Sequence, residues 1–186
     1  MRIIAGRAKG TSLIAPKGLN TRPTADMAKE SLFNIISTDI RDTHFLDLFC
    51  GSGAIGLEAL SRGAKEAVFV ESSRPAIAAT MQNVEKTKLA PFAELLQMPA
   101  AKAIDKLAAR GRSFDIIFLD PPYDTNLLTQ TLNHLAKTNL LSKTGILIAE
   151  TDSKINAENP ILTPKELELI NTRIYGRTCF LFYKIY

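Results

Sequence analysis

The chain has 186 residues, of which 46% are hydrophobic and 23% charged, and its formal net charge is +4. These values predict one globular domain with a substantial core, and they exclude a disordered or fibrous chain. Because no apolar run approaches the roughly 20 residues of a membrane span and no signal-peptide core is present, we expect a cytoplasmic protein without a membrane segment.

The first predicted element is a basic β-hairpin, whose strands cover residues 2–5 and 11–14. Residues 1–41 hold seven basic and three acidic side chains, and therefore the whole charge surplus. Residues 1–22 contain no acidic side chain. Their basic side chains are Arg2, Arg7, Lys9, Lys17 and Arg22. A basic segment beside a neutral body is typical of proteins that bind nucleic-acid phosphates, although an ordinary solvated surface fits the charge equally well.

Helical and strand-like patterns alternate along the rest of the chain. Thr24 caps a predicted helix that runs to about Ser37. The predicted strands cover residues 45–49, 67–70, 92–97, 114–119 and 145–150. The predicted helices that connect them cover residues 54–61, 75–88, 100–110 and 127–137. Two closely spaced strands follow, at 168–175 and 179–185.

This alternation predicts an α/β fold of the Rossmann-like kind, built from right-handed βαβ units. We expect a mostly parallel seven-stranded sheet, closed at one edge by the antiparallel C-terminal hairpin. Residues 151–164 show little pattern, and we expect them to form a loop over the ligand-binding edge. The predicted domain comprises a basic arm over residues 1–23 and a core over residues 24–186.

A glycine-rich turn follows the first predicted strand of the core. Gly51, Gly53 and Gly56 have the G-x-G-x-x-G spacing, which permits a tight turn and close approach of a ligand to the backbone. Glu71 ends the next predicted strand, about where a carboxylate would reach a ribose diol. A dinucleotide would fit these features too. However, the carboxylate of Asp47 suits an ammonium group, and no hydride-transfer residues are evident, so S-adenosylmethionine is favoured.

A stiff acidic loop follows the predicted strand 114–119. Asp120 is followed by Pro121, Pro122 and Tyr123, and two prolines cannot continue a strand. The loop therefore lies at the carboxyl end of the strand, where ligands bind to open α/β sheets. Its carboxylate, carbonyls and aromatic ring suit an exocyclic amine on a flat base. Taken alone, the sequence of this loop also fits a turn or a helix cap with no catalytic role. The glycine turn earlier in the chain favours the catalytic interpretation.

Together these motifs resemble the class I S-adenosylmethionine-dependent methyltransferases that methylate amino nitrogens. Further segments are similar to the RsmD family, which methylates N2 of one guanine in bacterial 16S ribosomal RNA. They lie at residues 2–6, 9–10, 16–18, 22–24, 30–35 and 175–178. The resemblance extends over essentially the whole chain.

The resemblance implies a set of functional residues. The cofactor S-adenosylmethionine would be held by Asp47, Gly51, Gly53, Glu71, Ser72 and Ala100. The catalytic residues would be Asp120, Pro121, Pro122 and Tyr123, with Asp120 and the Pro121 carbonyl orienting the amine and Tyr123 stacking on the base. The residues that contact RNA would be Arg2, Arg7, Lys9, Lys17 and Arg22.

The implied partner is 16S ribosomal RNA, free or in a partly assembled 30S subunit, and the enzyme would act as a monomer without a metal ion. One departure concerns Pro99, which stands where such enzymes commonly place an acidic or amide side chain near the adenine amine. Proline offers no side-chain hydrogen bond, so adenine would rest on backbone groups or apolar contacts.

Three alternatives remain open on the sequence. A DNA adenine-N6 methyltransferase uses the same acidic loop, but such enzymes usually need a further recognition domain. A protein glutamine-N5 methyltransferase more often has Asn in place of Asp120, and a helical N-terminal domain. A non-catalytic RNA-binding module with a decayed cofactor site is the third, and the intact glycines and acidic residues argue against it.

Overall fold

The computed structural model describes residues 1–15, 23–36, 40–122 and 126–186. The strands are β1 (His44–Asp47), β2 (Glu66–Glu71), β3 (Ala93–Gln97), β4 (Phe114–Leu119), β5 (Leu141–Asp152), β6 (Leu167–Tyr175) and β7 (Thr178–Ile185). The helices are α1 (Pro23–Ile35), α2 (Ala54–Arg62), α3 (Arg74–Lys86), α4 (Ala100–Ala109), α5 (Leu127–Leu135) and α6 (Ser153–Glu158), and a 3-10 helix covers Ala90–Phe92. Among the described residues, no helix combines the length and apolarity that crossing a membrane requires.

The seven strands form one sheet in the order β3-β2-β1-β4-β5-β7-β6. The strands from β1 to β5 pair in parallel, whereas β7 is antiparallel to both β5 and β6. The predicted fold class is therefore confirmed, including the antiparallel C-terminal hairpin. The chain builds outward from β1 in one direction to β3 and then returns to add β4 on the other side. This reversal opens a crevice at the carboxyl ends of β1 and β4.

Helices cover both faces of the sheet. In β4, Ile116 and Phe118 belong to an apolar cluster with residues of α2 and α3, whereas Ile117 and Leu119 belong to a second cluster with residues of α4 and α5. Successive side chains of a strand point to opposite faces, so a strand that is apolar throughout is buried on both sides. The parallel centre of the sheet is thus rigidly packed beneath the crevice.

The N-terminal segment forms a smaller hairpin than the sequence predicts. A single bridge joins Arg2 to Ser12, and the Ile3 N–H donates to the Thr11 carbonyl at 3.0 Å. Ile3 is fully buried, so the segment packs on the body of the protein.

The predicted loop over residues 151–164 is wrong in its first half. Strand β5 continues to Asp152, and α6 follows immediately. The buried Asp152 carboxylate accepts from the N–H groups of Lys154 and Ile155 at 2.9 and 3.3 Å, and Arg177 donates to it at 2.8 Å. This cap begins a short helix that the apolar pattern does not reveal.

Candidate active site

The carboxyl ends of β1 and β4 bring the two predicted acidic residues to one cavity of about 200 Å³. Asp47 ends β1, and Asp120 directly follows β4, with which β1 pairs in parallel. Gly51 and Glu150 line the same cavity. The acidic loop and the glycine turn therefore meet at the crevice, as the sequence predicts for an α/β sheet.

The glycine turn has the backbone that its sequence requires. Gly51 and Gly53 have φ angles of 54° and 77°, in the left-handed region that favours glycine. A Cβ atom at Gly51 would meet no described atom within 4 Å, so the space in front of this residue is open. A Cβ atom at Gly53 would lie 2.8 Å from Thr80 Cγ2. Gly51 thus lines the cavity, whereas Gly53 allows close packing behind it.

Helix α3 braces the turn through two buried side chains that the sequence analysis missed. The Thr80 hydroxyl donates to the Gly51 carbonyl at 2.8 Å, and the Asn83 amide donates to the Ser52 carbonyl at 2.9 Å. Polar residues on the apolar face of a predicted helix are the signal that could have identified them. The two bonds fix the turn relative to α3.

Glu71 ties the glycine turn to the end of β2. Its carboxylate accepts from the Gly51 N–H at 3.1 Å and from the Ser73 N–H at 2.8 Å. Each carboxylate oxygen has a further lone pair, which a ligand hydroxyl can use. The carboxylate therefore lies beside the glycine turn, as the spacing predicts, and its contact with a ribose stays a prediction.

Asp47 is 1% exposed and accepts from the Gly56 N–H at 3.2 Å through Oδ2. Burial raises the pKa of Asp47 to about 7, and the charge of Glu71 acts in the same direction. A positively charged ligand in the cavity would reverse this shift, because it favours the ionised carboxylate. The structure thus holds a buried carboxyl group suited to a cationic partner.

Asp120 is half-buried at the mouth of the crevice. Burial, followed by the negative charges of Glu150 and Asp47, raises the pKa of Asp120 well above its usual range. Within the described part of the chain, no basic side chain forms an ion pair with Asp120. Such a carboxyl group is poised to accept a hydrogen bond or a proton at the crevice. Pro121 is buried and Pro122 exposed, and Tyr123 lies outside the described residues.

A second cavity of about 350 Å³ lies beside the end of β2 and the start of α4. It is lined by Ser72 and Ala100, two of the predicted cofactor-binding residues, together with Phe49 and Pro99. Phe49 also lines the first cavity, which makes the two spaces neighbours. Pro99 lines the second cavity at the N-terminal end of α4, so the apolar surface expected at this position is present.

The described part of the basic arm is held on α2 by side chains that the sequence analysis also missed. The fully buried Glu58 carboxylate accepts from the N–H groups of Ile4 and Ala5 at 2.8 and 3.0 Å. The Ser61 hydroxyl oxygen accepts from the Ala8 N–H at 3.0 Å. An acidic residue within the apolar run of α2 is the signal that could have revealed this contact.

Three of the predicted RNA-binding residues, Arg2, Arg7 and Lys9, are exposed on this arm. The guanidinium group of Arg7 lies over the ring of Phe92, 4.3 Å from its centre. Lys17 and Arg22 lie outside the described residues. The arm thus presents a positive surface whose backbone is anchored to the core.

Comparisons with known proteins agree with this architecture. A family model described as "Conserved hypothetical protein 95" matches residues 1–184. YlbH of Bacillus subtilis (strain 168) is 37% identical over 184 residues, which cover 99% of this chain and 98% of that protein. "Ribosomal RNA small subunit methyltransferase D" of Escherichia coli (strain K12) is 33% identical over 185 residues, covering 99% of this chain and 89% of that protein. The solved structure of yhhF from Escherichia coli has a TM-score of 0.84 at 32% identity, covering 100% of this chain and 97% of that chain.

Proposed function

The chain belongs to the family described as conserved hypothetical protein 95, the RsmD family, and from this premise we propose that it methylates small-subunit ribosomal RNA. The reaction transfers a methyl group from S-adenosylmethionine to the exocyclic N2 amine of one guanine in 16S ribosomal RNA. The observation that carries this proposal is the meeting of Asp47, Gly51 and Asp120 around one cavity at the reversal point of the sheet.

The residues around the glycine turn suit the cofactor. Asp47 offers a buried carboxylate for the ammonium group, Gly51 leaves open space at the turn, and Glu71 offers free lone pairs for the ribose hydroxyls. The neighbouring cavity beside Ser72 and Ala100 suits the adenine ring. When bound, S-adenosylmethionine supplies an electrophilic methyl group on sulfur, and therefore the chemistry needs no metal ion.

The acidic loop orients the acceptor. Asp120 and the Pro121 carbonyl accept the two hydrogens of the guanine amine, which turns the nitrogen lone pair toward the cofactor site. Positive charge develops on the nitrogen as the new bond forms, and the Asp120 carboxylate stabilises it and takes up the released proton. Tyr123 stacks on the target base, which must leave its helical stack to enter the crevice.

The remaining assignments concern the whole protein. Residues 1–23 act as the arm that contacts RNA phosphates, through Arg2, Arg7, Lys9, Lys17 and Arg22, and residues 24–186 form the catalytic core of the same domain. The enzyme acts in the cytoplasm as a monomer. Its substrate is the partly assembled 30S subunit, since a small enzyme depends on neighbouring ribosomal components to shape the target.

A methylation assay tests the proposed function. The protein is incubated with methyl-labelled S-adenosylmethionine and either free 16S RNA or 30S particles from cells that lack the enzyme, and the RNA is digested to nucleosides. We expect labelled N2-methylguanosine, with more product from the particles. Label in N6-methyladenosine, or no label in RNA at all, contradicts the proposal.

A further inference from the structure

An open groove of about 780 Å³ lies beside the candidate active site. Helix α5 forms one wall, and the segment 159–162 after α6 forms the other. Glu150, near the end of β5, and the prolines Pro121 and Pro122 also line it. Since the two prolines directly follow Asp120, the groove opens next to the carboxylate that receives the target amine. Its volume lies in the range of ligand-binding sites.

Amide side chains face this groove from both walls. Asn126, the N-cap residue of α5, is followed at intervals of four and three residues by Gln130 and Asn133, so the three lie along one face of the helix. Asn159 stands on the opposite wall. Asn126, Gln130 and Asn159 form no side-chain hydrogen bond with another described residue, and Asn133 uses only Nδ2, which donates to the Thr129 carbonyl at 2.8 Å. These amides are exposed, so their donors and acceptors are available to a ligand.

The charge of the groove favours a nucleobase over a phosphate. None of the described residues that line it is basic, and its one charged group is the carboxylate of Glu150. The described lining of the groove therefore offers no basic side chain as a counter-charge to an anionic phosphate. Amides carry a donor pair and an acceptor, which match base edges. Pro160 and Leu162 add exposed apolar surface for the flat ring.

We propose that this groove binds an unpaired base next to the target guanine and that Gln130 and Asn159 determine specificity by hydrogen bonding to its edge. The inference rests on the proposed function, because the groove is assigned to the neighbouring nucleotide only if the adjacent acidic loop receives the target guanine. Sequence-specific RNA recognition targets single-stranded loops, where the bases beside the target can be unstacked and present free edges.

The test combines protein variants with abasic RNA. We compare kcat/KM of the groove variant, Gln130→Ala/Asn159→Ala, with that of a matched control, Gln82→Ala/Asn139→Ala. The control truncates exposed amides outside the groove. Each protein receives the intact particle substrate and two substrates reconstituted with RNA that lacks the base on the 5′ or the 3′ side of the target. Circular dichroism and cofactor titration check that every variant folds.

We expect the groove variant to lose about tenfold in kcat/KM on the intact substrate, since it lacks the hydrogen bonds to the edge of one base. Wild type should lose a similar factor on one abasic substrate, and on that substrate the groove variant should match wild type. The control should behave as wild type throughout. The inference is overturned if the groove variant loses the same factor in kcat/KM relative to wild type on intact and abasic RNA, or loses none on any substrate, while wild type still methylates RNA. A wild-type protein that methylates no RNA contradicts the proposed function itself.

Discussion

Two buried or half-buried carboxyl groups, each at the carboxyl end of a central strand, dominate the chemistry at the residue scale. Asp47 and Asp120 line one cavity, and burial is the main cause that raises the pKa of each. The charge of Glu71 adds to the shift at Asp47, and the charges of Glu150 and Asp47 add to the shift at Asp120. Acidic groups held in this way are poorly stabilised until a cation or a hydrogen-bond donor arrives. The two ligands of the proposed reaction supply these partners, one for each carboxylate.

The first prediction concerns Asp120. We expect Asp120→Ala to lower kcat for RNA methylation by about 10²–10³-fold, because the variant lacks the group that stabilises charge on the acceptor nitrogen. Cofactor affinity, measured by isothermal titration, should stay close to that of wild type, since Asp120 faces the acceptor. Asp115→Ala serves as the control, because Asp115 is a carboxylate in β4, the strand that Asp120 directly follows, and lies outside the cavity. Turnover of Asp120→Ala at the wild-type rate would remove the residue from the mechanism.

The second prediction concerns Asp47 and pH. Its pKa is about 7 in the folded protein and near 3.8 in the unfolded chain. Between these values the folded state binds more protons, so the free energy of unfolding falls as pH rises from about 4 to about 7. Asp47→Asn carries no charge and should lack this fall. Measured by urea unfolding, wild type should lose a few kcal/mol relative to the variant between acidic and mildly alkaline pH, at about 1.4 kcal/mol per pKa unit.

The variant's hydrogen bond to Gly56 can persist through the asparagine oxygen, so the comparison isolates ionisation. A stability difference that does not change with pH would show that the folded state leaves the pKa of Asp47 unshifted. Saturating cofactor should reduce the pH dependence of wild type, because its positive charge favours the ionised carboxylate.

At the scale of secondary-structure elements, α2 anchors the N-terminal arm through Glu58. The buried carboxylate accepts from two backbone N–H groups of the arm, and it pairs with Lys29 at 3.3 Å and Arg62 at 2.8 Å. Lys29 in turn donates to the Arg2 carbonyl at 2.6 Å. Burial lowers the pKa of Lys29, and the charge of Glu58 opposes that shift. One acidic side chain thus connects α1, α2 and the arm.

The third prediction follows from this connection. Glu58→Gln keeps the shape but removes the charge, which leaves Lys29 without its buried counter-ion. We expect a loss of about 3–5 kcal/mol in unfolding free energy. Hydrogen exchange should accelerate at the amides of Ile4 and Ala5, while the exposed control Glu85→Gln should change neither measurement. Unchanged exchange at these two amides would contradict the anchoring role.

At the scale of the whole molecule, a positive arm lies on a body that carries little net charge. Residues 1–41 hold the entire surplus of +4, and the part of the arm that is described packs on α2 near the crevice, where Met1 lines the active-site cavity. Contacts between such a surface and the phosphates fix where an RNA binds, but they do not read its sequence. Specificity then depends on the crevice and the adjoining groove.

The fourth prediction concerns the salt dependence of RNA binding. Replacing Arg2, Arg7 and Lys9 with Ala should weaken binding and reduce the slope of log K against log salt concentration by about two to three, because each phosphate contact contributes roughly 0.7–0.9. The matched control replaces Lys143, Lys165 and Lys184, which are exposed away from the arm. Fluorescence anisotropy across a salt series measures both slopes, and identical slopes would exclude the arm from the interface.

The amino-acid pattern alone predicts the sheet, its antiparallel edge, the glycine turn and the position of the acidic loop. These features depend on periodicity within one segment and on residues with special backbone behaviour, such as Gly51 and Pro121, so local chemistry suffices to locate them. The short helix α6 escaped prediction because its cap depends on Asp152, whose burial against Arg177 arises only in the folded sheet.

The brace from Asn83, the anchor at Glu58 and the amide-lined groove could be recognised only once distant segments had met. Asn83 bonds to Ile14 across 69 positions, and Glu58 bonds to Ile4 across 54. A polar side chain becomes a buried hydrogen-bond partner only when another part of the chain packs against it. The type of the residue and its neighbours in sequence do not determine which part that is. Long-range packing therefore selects which of the chain's many polar groups become buried partners or ligand contacts.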